Sequence, residues 1–333
     1  MSELVFQIVV AGVKSLIIIF ALLTGFAYMT LFERKVAARI QIRYGPNRVG
    51  PFGLLQPLAD GIKLFFKESP TPRGADRFVY LAAPCISATV ALAAFAVIPI
   101  GPPIEIGGRQ IGMYLSDASI GILYVLAVGS LGVYGITLAG WASNNKYSLL
   151  GGVRASAQMI SYELSLGLSV LAVILVVGSP NMTKIVEFQG VVPLLLLQPL
   201  GFLLYLISGI AETNRAHFDL PEAESELVAG YHTEYSGMRF ALFFMAEYIN
   251  MITVSAIATT LYLGGYKGPI ADGPWWFLLK VLALLFVYVW VRATLPRMRY
   301  DRLMNFGWRV LLPVSLLNVF LTAIGVLIIE GRV

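Results

Sequence analysis

Eight stretches of this chain stay apolar for about the length a helix needs to cross a bilayer, roughly 20 residues for a hydrocarbon core of ~30 Å. They fall at approximately 4–32, 78–98, 115–140, 153–177, 191–211, 238–263, 275–293 and 308–329. Hydrocarbon offers the backbone no water to bond, so each run is expected as a helix that satisfies itself. Composition agrees, with 58% hydrophobic and 13% charged residues among 333, against about 25% charged in soluble domains. The fold class is therefore read as an all-α integral membrane protein with about eight transmembrane helices, one polytopic domain over 1–333. The first run has no basic residue ahead of it and no small-residue cleavage site, so it reads as a retained helix and not a signal peptide. No internal repeat of the transporter kind is visible.

The stretches after the first, third, fifth and seventh runs hold 18 of the 24 Lys and Arg residues. The positive-inside rule makes that side cytoplasmic, with both termini on the other. Trp141, Trp290 and Trp308 fall at cytoplasmic ends and Trp275 and Trp276 at an outer end, as interfacial anchors do. A net charge of +5 then reads as attraction to lipid headgroups, and no nucleic-acid partner is expected. Cys85 is the single cysteine, so this chain alone builds no iron-sulfur cluster, thiolate zinc site or disulfide; it reads as a small packing residue. The two histidines, His217 and His232, share one loop and cannot ligate a haem from facing helices. No metal site is expected, and chemistry must come from partner chains or a diffusible substrate.

Several polar features exceed what an anchor requires. Residues 35–77 contain no further span, and within them Leu54, Leu58, Ile62 and Phe65 or Phe66 recur at helical spacing, with Asp60, Lys63 and Lys67 between. That is the pattern of an interfacial amphipathic helix over about 53–67, with Pro57 kinking it or marking its start. Glu33, Arg34 and Lys35 stand where the first run leaves the membrane, either as a solvated helix end or as part of a site. Glu163 and Glu247 lie eight or nine residues beyond Arg154 and Arg239, about 12–14 Å deep on a helix. An acid there faces protein or water and marks an ion or proton path, unless it only bonds the adjacent Tyr162 or Tyr248. Span three offers no acid except Asp117 at its outer end, so a carboxylate relay across the whole membrane is not expected of this chain. Residues 212–238 form an acidic loop whose carboxylates either sense charge nearby or bind a basic partner surface.

The segments ERK at 33–35, RYGPNRVGPFGLLQPLADGIKLFFKE at 43–68, GWASNNKYSLLGGVRASAQMISYE at 140–163, AETNRAHFDLPEAESELVAGYHTEYSGMRFALFFMAEY at 211–248 and RATLPRMRYDRLM at 292–304 resemble the H subunit of respiratory complex I, NADH:quinone oxidoreductase. The resemblance covers nearly the whole chain in order. It implies a proton-translocating complex whose flavin and iron-sulfur clusters sit on partner subunits, with quinone as substrate and no cofactor on this chain alone. It implies peripheral-arm and membrane-arm subunits as partners in a bacterial cytoplasmic membrane, the mitochondrial inner membrane being the alternative. Glu33, Arg34, Lys35, Asp60 and Lys63 would border a quinone portal and cavity. Glu163, Glu212, Arg215, Asp219, Glu222, Glu224, Glu226, Glu234 and Glu247 would couple quinone chemistry to charge movement along the membrane arm. Arg292, Arg297 and Arg299 would dock partner surfaces or phospholipid. The rival readings are the equivalent subunit of a related membrane-bound hydrogenase or dehydrogenase, and a stand-alone ion transporter.

Overall fold

The structure, a computed structural model, describes all residues except 1–2, 107, 191, 216–217, 220–226 and 330–333. Among the described residues seven helices are long and apolar enough to cross a membrane, and an eighth, Pro199–Glu212, is apolar but shorter. The all-α membrane class and the number of runs read from the sequence agree with this. The acidic positions Glu222, Glu224 and Glu226, and His217, lie outside the described residues.

Helix α1, Glu3–Ile40, has 38 residues and at 1.5 Å per residue is about 57 Å long, nearly twice a hydrocarbon core. The apolar run ends near 32, yet the helix continues through Glu33, Arg34 and Lys35, because all three find partners inside the chain. A short 3-10 turn at Pro51–Gly53 follows. Gly53 stands at φ 77° with the Pro46 carbonyl where a Cβ would sit, so only glycine closes this loop. Helix α2, Gln56–Phe66, carries Pro57 in its first turn, where a missing N–H is harmless. It thus starts three residues later than its apolar spacing suggested. None of its residues is buried, so Leu58, Ile62, Phe65 and Phe66 face away from this chain.

Helix α3, Arg77–Ala94, is capped by Asp76, which accepts from the amides of Phe78 and Val79. A two-stranded antiparallel hairpin follows, β1 Ile104–Ile106 with β2 Arg109–Ile111, which no alternation in the sequence announced. Next come α4, Gly121–Ala142, and α5, Lys146–Val177. Asn145 caps α5 at one end, and at the other Gly178, in the left-handed conformation at φ 73°, donates to the Ile174 carbonyl. The short α6, Met182–Phe188, α7, Leu194–Leu197, and α8, Pro199–Glu212, complete this half. The fifth apolar run is thus broken at Gln198 ahead of Pro199. The break keeps its hydrogen bonds: Gln198 N–H reaches Leu194 O and its carbonyl accepts from Phe202. Its side-chain amide donates to Ala172 O and Thr322 Oγ1, as irregular backbone within a bundle must.

Helices α9, Gly237–Tyr262, α10, Pro274–Thr294, α11, Tyr300–Phe306, and α12, Leu312–Ile329, follow, the last two joined by a π-helical segment at Gly307–Leu311. Helix α5 packs against α4, α8 and α12, and α9 against α1, α3, α8 and α10. Gly151 lets the turn at 230–232 lie directly on α5: a Cβ there would come within 2.7 Å of Tyr231 N. Small residues permit such close approach in membrane bundles. Lys280 spans the α9–α10 turn, donating to the carbonyls of Leu263, Gly265 and Lys267. Cys85 is exposed, on the outer side of α3 and not in the core, a correction to its reading as a packing residue.

Candidate functional site

Arg215 organises the most charged part of the interior. Helix α8 ends at Glu212, Asn214 turns the chain at φ 50°, and Arg215 enters the bundle only 7% exposed. One guanidinium nitrogen bonds Glu247 on α9 and the other Glu33 on α1. The second nitrogen also donates to Tyr248 Oη at 2.7 Å, and that hydroxyl donates to Glu33 at 2.7 Å. Arg292 on α10 takes the remaining oxygen of Glu33. Two carboxylates and two guanidinium groups thus form one neutral cluster. Pairing and hydrogen bonding are what let Glu33, Arg215 and Glu247 stay charged out of water, while Arg292 stands 45% exposed at the edge of the cluster.

Gln158 on α5 holds the Arg215 segment in place. It is fully buried, and its amide nitrogen donates to Ala211 O at 2.8 Å and Phe218 O at 2.7 Å, on either side of Arg215. Gln158→Leu leaves both carbonyls without that donor, so a loss of about 1–3 kcal/mol of stability is expected. It should appear as a lower thermal midpoint of the purified assembly; an unchanged midpoint would show that the segment holds itself.

Two cavity systems meet at this cluster. The first, about 570 Å³, is walled by Glu33, Arg34, Ala37, Gln41, Phe244 and Arg292 among others, within the ~300–1,000 Å³ range of ligand sites. Beside it Arg34 binds Asp60 at 2.7 Å, Lys63 stands 3.5 Å from the same carboxylate, and Lys35 donates to the Phe52 carbonyl. These contacts tie α2 to α1. Burial alone would raise the Asp60 carboxyl, but the bond and charge of Arg34, with Gln56 and Lys63, hold it below the usual carboxylate range. A depressed carboxylate contributes its tie above the unfolded pKa and loses it as pH falls through the folded one. The separation of spin labels at Ile42 and Gly61, in a Cys85→Ser background, is therefore expected to stay fixed at neutral pH and widen only in acid below the ordinary carboxylate range. Asp60→Asn should be wide at every pH. A separation that ignores both acid and substitution would show that α2 is held by other contacts.

The second system runs inward. A cavity of about 40 Å³ is bordered by Glu247, Glu212, Asn214, Asn250 and Tyr231, and one of about 60 Å³ by Glu212, Glu163, Thr213 and Asn250. Each has room for water, which needs about 10–15 Å³. Asn214 Oδ1, buried with no protein partner among the described residues, is available to water there. Glu163 bonds Ser130 Oγ, which also lies 3.0 Å from the Leu126 carbonyl. Ser130 can therefore donate to a carboxylate, or accept from a carboxylic acid while donating to Leu126. Glu33, Glu247, Glu212 and Glu163 follow one another from the large cavity into the bundle.

A family model described as NADH dehydrogenase matches residues 13–323. The chain belongs to the NADH dehydrogenase family. It is 51% identical to the H subunit of NADH-quinone oxidoreductase from Syntrophotalea carbinolica, over 97% of this chain and 98% of that protein. It is 55% identical to the protein of the same name from Thermomicrobium roseum, over 96% of each, and 57% to that from Protochlamydia amoebophila, over 90% and 92%.

In this NADH dehydrogenase family chain the residues singled out from the sequence are distributed unevenly. Glu33 and Arg34 line the large cavity, Asp60 and Lys63 stand behind Arg34 outside its lining, and Glu163, Glu212, Arg215 and Glu247 lie along the inward series. Glu33 is 5% exposed, so the solvated helix end is not what forms. Glu234 points elsewhere, accepting from Asn145 Nδ2 at 2.7 Å, while its carbonyl accepts from Tyr80. The Asp219 carbonyl accepts from Arg297. Arg292 faces Glu33 inside the chain, whereas Arg299 is exposed and 3.2 Å from Asp301. Tyr162 bonds the Leu303 carbonyl and Tyr248 bonds Glu33, so neither neighbouring tyrosine is the hydroxyl that serves Glu163 or Glu247. Reading the sequence missed Ser130, Gln158, Asn214 and Tyr231. It could have found Asn250, three residues beyond Glu247 on one face of α9. Among the described residues no group of three or more His, Cys, Asp or Glu could hold a metal ion.

Proposed function

We propose that this chain is the membrane subunit of a proton-translocating NADH:quinone oxidoreductase that receives quinone from the bilayer and couples its reduction to charge movement in the membrane arm. The reading rests on one observation: a ligand-sized cavity shares Glu33, Arg215 and Glu247 with a buried carboxylate series leading away from it. The unpartnered apolar face of α2 suits a helix lying at the bilayer surface, where an isoprenoid substrate could pass beneath it. Quinone would occupy the 570 Å³ cavity, with electrons delivered by flavin and iron-sulfur clusters on peripheral subunits. Negative charge arriving on the quinone would perturb Glu33 and, through their common cation Arg215, Glu247. Glu212 and Glu163 would carry the disturbance onward over water. The acidic positions Glu222, Glu224 and Glu226 would continue the cluster toward the peripheral arm, and Asp219 and Glu234 would border it. Arg297 and Arg299 would face partner subunits or phospholipid. The assembly would sit in a bacterial cytoplasmic membrane with both termini of this chain outside. The relatives' names favour quinone over the hydrogenase alternative.

The test is to isolate the tagged chain with its partners and assay inhibitor-sensitive NADH:quinone reduction. In that assembly Ala37→Phe, which fills the cavity wall, should raise KM for quinone at least about tenfold, the scale of a displaced pocket contact. NADH oxidation by a soluble acceptor should be unaffected. Wild-type KM, or partners without flavin and iron-sulfur polypeptides, would overturn the assignment.

A further inference from the structure

We propose that a separate cavity, between the N-terminal half of α1 and the β1–β2 hairpin, binds the headgroup phosphate of an anionic phospholipid. Its volume is about 300 Å³, and its walls include Phe6, Gln7, Lys14, Arg109 and Gln110. Among the described residues no carboxylate lines it. Lys14 Nζ donates one hydrogen bond, to the Tyr114 carbonyl at 3.1 Å, leaving two donors. The Arg109 guanidinium stands 4.6 Å from the centre of the Phe6 ring, and among the described residues it makes no ion pair. Two cations from two elements thus line one recess with no counter-ion among the described residues, and in low-dielectric surroundings that arrangement attracts an anion. Gln7 and Gln110 offer amides for the remaining phosphate or glycerol oxygens.

Depth selects a lipid over a soluble anion. The 18 residues from Ser15 to Phe32 carry no charge and cover about 27 Å of helix, one hydrocarbon thickness. With Glu33 and Arg34 at one boundary, Lys14 falls at the opposite headgroup level. Below it Leu16, Ile17 and Phe20 are exposed and form an apolar track for acyl chains. A lysine at a span boundary extends toward the headgroups in this way, and each basic residue near a charged surface adds attraction.

The experiment uses the intact complex in nanodiscs doped with photoactivatable phosphatidylglycerol or, separately, photoactivatable phosphatidylcholine, followed by peptide mapping. Labelling of peptides containing residues 6–14 or 109–115 should favour phosphatidylglycerol by about tenfold or more, the scale two surface cations supply. It should fall to the phosphatidylcholine level in Lys14→Gln/Arg109→Gln, persist in Lys14→Arg, and resist competition by inorganic phosphate. Equal labelling of the wild-type complex by both probes would overturn the proposal without any variant. So would full labelling of the double variant. Displacement by inorganic phosphate would assign the recess to a soluble anion. Because the recess lies at the far end of α1 from the large cavity, quinone reduction by the double variant should be unchanged, which separates this inference from the proposed function.

Discussion

Arg215→Met is expected to remove a large share of this chain's stability. It leaves Glu33 and Glu247 buried without their common cation, and breaking a buried pair from one side typically costs about 3–5 kcal/mol. That is a large share of the roughly 5–15 kcal/mol that separates a folded domain from its unfolded chain. Arg292 still pairs with Glu33, so the loss should concentrate at Glu247 on α9. Arg215→Lys should be intermediate, since an ammonium supplies the charge without the fork that spans two carboxylates. Adding Glu33→Gln and Glu247→Gln to the methionine variant should recover part of the loss, because both stranded charges go. The readouts are yield and thermal midpoint of the solubilised assembly. A methionine variant that melts like the wild type would mean that these acids are not held as carboxylates by Arg215.

Glu163→Gln and Glu212→Gln should separate chemistry from coupling. Neither side chain lines the large cavity, so quinone reduction in uncoupled membranes should retain most of its rate. Glutamine keeps shape and hydrogen bonds but cannot exchange a proton. Positioned proton transfer is typically worth about 10²–10⁴-fold, so proton translocation in sealed vesicles should fall by at least about tenfold. Ser130→Ala should act in the same direction and less, since it removes the hydroxyl that answers both protonation states of Glu163. Full pumping by both glutamine variants would move the path away from this carboxylate series and leave the cavity assignment standing.

What the sequence could and could not reveal follows from the range of the forces involved. The number of apolar runs, the amphipathic α2 and the placing of Glu163 and Glu247 within apolar runs are local matters, set by solvent and helical spacing, and they were legible. The partners of those acids were not. Glu33 and Arg215 are separated by more than half the chain, and Ser130 meets Glu163 only because α4 and α5 pack side by side. Gln158 is not singled out by the sequence, because its partners Ala211 and Phe218 lie more than 50 residues away. The continuation of α1 past its apolar run was hidden for the same reason: Glu33 stays helical because distant guanidinium groups receive it. The run at 191–211 reads as unbroken in the sequence; it breaks at Gln198 ahead of Pro199, and the partners of the Gln198 side chain, Ala172 and Thr322, lie on helices far away in sequence.

The neutral cluster of Glu33, Arg215, Glu247 and Arg292 also limits how such a chain can vary through descent. Arg215 cannot be exchanged alone for an apolar residue without taking its cation from Glu247, whereas Glu33 has a second guanidinium in Arg292, whose side chain is 45% exposed. The three buried positions, on α1, in the segment after α8 and on α9, therefore constrain one another through Arg215. A lineage that lost this arginine would keep a well-assembled chain only if Glu247 lost its charge as well.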